Sequence, residues 1–235
     1  MSYKYGPSIV TDGLVFYVDA ANSKSYDGSA GGTTWTDLVG SNNGTLTNME
    51  TNPVNAGYVY DSANGGSLVF DGSDDYIEFS ELTLSSLNIS NGDPITISCF
   101  FKPHDLAQNM ICAFFDAPRC YIETYPQSGG TVAHWGFGNT NNATTSTAFL
   151  QTNQIYNYTA TYDGNIAKGY LNGGLDSTNT IGVQSYNTNN FRIAKYSNGS
   201  PLYGDLTVYY CQLYNKALTS TEVLQNYNAL KNRFI

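Results

Sequence analysis

Charge is scarce in this sequence, and positive charge most of all: 12% of its 235 residues are charged, with 10 Lys+Arg against 19 Asp+Glu and a formal net charge of −9. An average soluble chain carries about 25% charged residues. Phosphate-backbone binding depends on clustered Lys and Arg, so the balance argues against nucleic acid as a partner. An acidic surface confers solubility and suits cations or neutral polar ligands. Histidine is limited to His104 and His134, and neither stands by a Cys or Ser pattern that would suggest a nucleophile and its base; both are expected in packing or at the surface. Four cysteines, Cys99, Cys112, Cys120 and Cys211, are sparse for a disulfide scaffold and fit no common zinc spacing. They are expected mostly as free thiols in strands, with Cys112 and Cys120 able to meet across a hairpin. No apolar run approaches the ~20 residues of a membrane-spanning helix, and the opening MSYKYGPSIVTDG lacks the apolar stretch of a secretory signal, so no membrane insertion is expected.

What the chain does have is 20 Tyr, 11 Phe and 23 Gly, a supply of aromatic area and of turns rather than of helix formers. Short apolar or alternating runs recur between Gly, Asn, Asp and Ser clusters: Leu14 to Val18, Leu68 to Phe70, Tyr76 to Phe79, Met110 to Phe115, Tyr156 to Thr161 and Val208 to Leu213. That spacing is the mark of an all-β sandwich or barrel. Within Ile95 to Phe101 the two-residue period places Ile95, Ile97, Cys99 and Phe101 on one face, which should be core. Asp71-Gly72, Asp163-Gly164, Asn172-Gly173 and Asn198-Gly199 supply the positive φ of tight turns, and Asn139 to Thr147 and Ser185 to Asn190 read as loops. One helix is predicted near Ser220 to Lys231. Thr219 and Glu222 form a capping box, Leu218 can staple onto Val223, and Val223, Tyr227 and Leu230 share a face that should dock on the sandwich. With no linker and no internal repeat, a single domain over 1–235, its core at about 8–235, is the economical organisation.

Six stretches in order resemble the concanavalin A-like lectin/glucanase superfamily, in particular laminin-G-like jelly-roll domains of the kind found in bacteriophage structural proteins. They are TDGLVFYVDAANSKSY (11–26), TTWTDLVGSNNGTLTN (33–48), GGSLVFDGSDDYIEF (65–79), ITISCFFKP (95–103), TATYDGNIAKGYLNGGLDS (159–177) and QLYNKALTSTEVLQNYNALKNRF (212–234). The resemblance implies a two-sheet antiparallel jelly-roll sandwich with a short C-terminal helix. Phe100 stands where many relatives carry Trp, and His104 to Gln154 matches nothing in the family pattern, so that stretch should supply variable strands and loops carrying the individual function.

The superfamily's glucanases carry their carboxylates in a Glu-x-Asp-x-x-Glu run, which is missing here; Glu50, Glu78, Glu81, Glu123 and Glu222 are scattered. The expectation is therefore a chain that binds rather than catalyses. Many relatives hold a structural Ca2+ at the sandwich rim, and the matching carboxylates are Asp19, Asp71, Asp74 and Asp75, although Asp before Gly also serves turns. A sugar site would pair an aromatic platform with amide hydrogen bonds. Trp135, Tyr125, Asn139 and Asn141 in the divergent stretch are the candidates, with a core position the alternative for Trp135. Because the resemblance fills the chain and shows no anchor, the expected role is a virion surface protein, a head decoration or fibre-like component. Its partners would be capsid or tail proteins, copies of itself, or a host surface glycan. The alternative is a free-standing carbohydrate-binding lectin, secreted or at a cell surface.

Overall fold

The computed structural model describes residues 7–27, 32–49, 57–59, 66–114, 118–186, 189–196 and 202–234. Sixteen strands lie among them: β1 Leu14–Asp19, β2 Thr34–Trp35, β3 Gly44–Thr47, β4 Gly57–Val59, β5 Ser67–Asp71, β6 Tyr76–Phe79, β7 Ile95–Pro103 and β8 Asn109–Phe114, followed by β9 Arg119–Gln127, β10 Gly130–Gly138, β11 Thr140–Thr145, β12 Tyr156–Tyr162, β13 Ile166–Leu171, β14 Gly174–Thr180, β15 Phe191–Ile193 and β16 Asp205–Tyr214. Helix α1, Ser220–Leu230, and a 3-10 turn, Lys231–Arg233, close the chain.

The strands form two eight-stranded antiparallel sheets. The first runs β14-β13-β12-β7-β16-β5-β4, with β1 also on β16; the second runs β11-β10-β9-β8-β15-β6-β3-β2. Long β16 serves two neighbours on one side, Asp205–Val208 pairing with β5 and Tyr210–Tyr214 with β1. This is the jelly-roll sandwich the sequence implied. Between the sheets lies one core that includes Phe16, Trp35, Phe70, Phe79, Ile97, Phe101, Trp135 and Tyr158.

The two-residue period of β7 works as expected on the inner side, where Ile95, Ile97, Cys99 and Phe101 join that core. The outer side of β7 is covered too. Phe100 stacks on Tyr227 of α1 with ring centroids 5.9 Å apart and an interplanar angle of 16°, and meets Phe234 at 4.9 Å. The capping box is formed: Thr219 accepts from the Glu222 N–H and the Glu222 carboxylate accepts from the Thr219 N–H. Leu218 and Val223 are buried in one cluster, as a staple requires. Asn172 and Gly173 both have positive φ, 51° and 79°, the conformation of a two-residue hairpin turn. A Cβ on Gly173 would lie 2.8 Å from Tyr227, so the turn also needs glycine to pass under the helix.

His104 to Gln154 supplies strands as expected, β8, β9, β10 and β11, half of the second sheet. Two expectations are corrected. Asn139 to Thr147 contains strand β11 rather than being a loop. Cys112 and Cys120 do not meet across their hairpin, because the register sets Cys112 opposite Ile122 and Cys120 opposite Phe114. The Cys99 sulfur instead lies 3.4 Å from that of Cys112 and 3.1 Å from that of Cys211. All four are free, buried thiols, as expected, and burial pushes Cys120 up to about 12. The Asn198-Gly199 turn lies outside the described residues.

Candidate functional site

Alternation on the second sheet decides which candidates can meet a ligand. On β10, Trp135 points inward: it is 0% exposed and stacks on Phe137 at 4.5 Å. The proposed sugar platform is thus core, and its place is taken by the residue before it. His134 points outward, as do Arg119, Tyr121, Glu123 and Tyr125 at two-residue steps on β9. These side chains line a cleft of about 300 Å³ together with Gln108. Tyr125, 37% exposed, belongs to it as the sequence suggested. Asn139 is exposed, at the end of β10 and away from the cleft lining, its N–H donating to Gln184 Oε1 at 3.0 Å. The Asn141 side chain lies outside those described.

The centre of the cleft is a buried polar triad. Glu123 and His134 are direct cross-strand partners, and His134 Nδ1 lies 2.8 Å from Glu123 Oε1. Gln108 Nε2 donates to Glu123 Oε2 at 2.8 Å, so both carboxylate oxygens are engaged. The imidazole, 2% exposed, is flanked by Tyr125 at 5.1 Å and Tyr121 at 5.9 Å. Its second nitrogen, Nε2, is buried with no hydrogen-bond partner. Burial and then the Glu123 charge push the Tyr121 hydroxyl well above its ordinary range, keeping it a neutral donor. Gly136 faces Tyr121, and a side chain there would collide with the ring.

His104 offers a contrast, since its Nδ1 is 2.7 Å from Asp205 and its Nε2 is 2.8 Å from Thr207. A buried polar atom without a partner costs about 1–3 kcal/mol, so the unpaired nitrogen of His134 marks a place where a ligand group or water would be stabilised. Sequence reasoning missed both Glu123 and His134. The available signal was the alternation in Arg119 to Tyr125, where charged and aromatic residues interleave with Cys120 and Ile122.

Of the four rim carboxylates, Asp71, Asp74 and Asp75 come together, with oxygens within 4.8 Å of one another. Asp75 is buried and also accepts from the Asp71 N–H, while Asp71 accepts from Ser73 N, the turn role weighed against metal binding. Three hard oxygen donors suit Ca2+ by their chemistry. Asp19 is corrected: its carboxylate is held by Arg233 through two bonds of 2.7 and 2.8 Å and by the Tyr17 hydroxyl at 2.7 Å, so it serves an ion pair on the first sheet.

Residues 71–224 match the concanavalin A-like lectin/glucanases superfamily. The chain belongs to that superfamily. No curated protein sequence matches it. Among solved structures, Trypanosoma rangeli sialidase in complex with sialic acid superposes with a TM-score of 0.67 at 17% identity, over 97% of this chain and 36% of the sialidase. Domain 4 of AbnA, a GH43 extracellular arabinanase from Geobacillus stearothermophilus, in complex with arabinotriose, gives 0.65 at 17% identity, over 91% of this chain and 98% of that domain. The binding domain of Paraclostridial Mosquitocidal Protein 1 gives 0.67 at 14% identity, over 92% of this chain and 52% of that one. The chain spans about a third of the length of the sialidases it resembles. These likenesses are of fold.

They also correct the expectation that the chain has no catalytic activity. That expectation rested on a missing pair of carboxylates, whereas the neighbours include sialidases, and glycoside cleavage does not always use such a pair. The likeness, confined to a third of each sialidase, does not make this chain an enzyme either.

Proposed function

We propose that this protein is a carbohydrate-binding domain whose ligand site is the cleft on the outer face of the second sheet. The observation that carries the reading is the buried, unpartnered Nε2 of His134, held in place by Glu123 and Gln108 beside the half-exposed ring of Tyr125. A sugar ring has an apolar face that stacks on an aromatic side chain and a rim of hydroxyls that need hydrogen bonds. Tyr125 supplies the first, and His134, Gln108 and Tyr121 supply partners for the second. The fold neighbours captured with sialic acid and with arabinotriose support the ligand class. A host or cell-surface glycan is thus the favoured partner. Placement on a virion, with capsid or tail contacts, gains no support from these likenesses.

The fold family implies a structural Ca2+, and Asp71, Asp74 and Asp75 would hold it. Asp71 ends β5 and Asp74 and Asp75 precede β6, so the ion would tie the first sheet to the second at that rim and relieve the repulsion among three carboxylates.

Glycan-array screening followed by titration calorimetry tests the proposal. Binding by the wild type, weakened by both Tyr125→Ala and His134→Ala at unchanged circular dichroism, is the expected result. A bound glycan whose affinity neither substitution alters would place the site elsewhere.

A further inference from the structure

We propose that the cleft selects saccharides bearing a carboxylate, with Arg119 as the anion-binding group; this rests on reading the cleft as a sugar site. In a chain of net charge −9, both other arginines and Lys216 are taken up by nearby acids. Lys216 lies 2.7 Å from Asp12 and 2.8 Å from Glu222, Arg233 is paired with Asp19, and Arg192 is 3.2 Å from Glu78. Arg119 lines the cleft, and among the described residues no carboxylate lies within ion-pair distance of it. A guanidinium in that position presents the planar fork that binds a carboxylate through two parallel hydrogen bonds.

The cleft's own acid does not compete for Arg119. Both oxygens of Glu123 are held by His134 and Gln108, and Glu123 follows Arg119 by four residues on one strand, about 13 Å at ~3.3 Å per residue. Glu123 is buried and so little screened by salt, but its two oxygens are already engaged by donors and it stands that far along the strand, which together weaken its repulsion of a carboxylate seated at Arg119. The same length sets the register of the ligand. A carboxylate at Arg119 leaves a hydroxyl farther along to meet His134, and Tyr125, six residues from Arg119 or about 20 Å along the strand, can take an apolar ring face, a span that suits an oligosaccharide better than a single ring. Tyr121, between the two ends and held neutral by its burial, can donate to the oxygens between them.

The experiment compares matched ligands by calorimetry in 150 mM salt at pH 7: oligogalacturonate, oligoglucuronate and sialylated glycans, each against its neutral or desialylated counterpart. At least one acidic ligand should bind about tenfold or more tightly than its neutral partner. Arg119→Gln should remove that preference, and Arg119→Lys should retain part of it, since Lys supplies the charge without the fork. A thermal melt checks that each variant is folded. Neutral glycans binding as well as acidic ones, or a preference that survives Arg119→Gln, would overturn the inference while leaving the sugar site standing. If no ligand of either class binds, both readings fall.

Discussion

The two sheets carry the same kind of outward aromatic residues and treat them in opposite ways. On the first sheet, Phe100, Tyr209 and Tyr210 project outward and are sealed beneath α1 and Phe234, with Arg233 reaching back to Asp19. On the second, Tyr121 and Tyr125 project outward around His134; among the described residues no helix lies above them, only Tyr196 and Leu202 pack beside Tyr121, and a cleft remains. Cross-strand aromatic pairs stabilise either sheet. What differs is whether the side chains are consumed by a covering element or stay available to a ligand. The two histidines repeat the contrast, His104 having both nitrogens satisfied within the protein and His134 only one.

If the first face is structural and the second is for binding, substitutions should separate stability from affinity. The largest expected effect is on the sealed face: Phe100→Ala should cost about 3–5 kcal/mol in denaturant unfolding, because it opens a cavity between β7 and α1. A loss below about 1 kcal/mol would mean that the helix is not docked there. Asp19→Ala, which removes the ion-pair partner of Arg233 and the acceptor of the Tyr17 hydroxyl, should cost less, about 2 kcal/mol by the same measurement. Tyr125→Ala should reverse the pattern. Stability should stay within about 0.5 kcal/mol of wild type while glycan affinity falls by about 1 kcal/mol or more in calorimetry.

Calcium sharpens the comparison at the rim that joins the sheets. If Asp71, Asp74 and Asp75 hold the ion, adding Ca2+ to chelator-treated protein should raise the melting temperature, and Asp75→Asn should abolish the rise. The smallest effect is in the helix cap. The Lys216 ammonium, and then the Thr219 N–H, hold the Glu222 carboxyl below its ordinary value. A depressed carboxyl contributes stability above its unfolded value and loses that contribution as pH falls through the folded one. The melting-temperature difference between wild type and Glu222→Gln should therefore be present at pH 6 and shrink on acidification toward pH 3.

The strand pattern, the capping box and the docking stripe of α1 were legible because each is set by neighbours in sequence: side chains alternate with period two, and Thr219 and Glu222 are a single turn apart. The candidate site was legible only in part. Tyr125 was in view, but Trp135 drew attention away from His134, since aromaticity is visible in a sequence while the side a strand presents to the core depends on its register. Asp19 looked like a rim ligand because its partner, Arg233, is 214 residues away.

By itself, then, the sequence determined the period of the strands, the turns, the helix and the superfamily pattern, all of which follow from residues within a few positions of one another. The tertiary structure decided the rest. Strand register chose which of His134 and Trp135 faces out, and pairing across β9 and β10 brought Glu123 to His134. The C-terminal helix landed on the first sheet, while the outer face of the second is covered only in part, by Tyr196 and Leu202 among the described residues. Those outcomes depend on contacts between distant segments, where burial of a whole face, not local preference, sets the free energy.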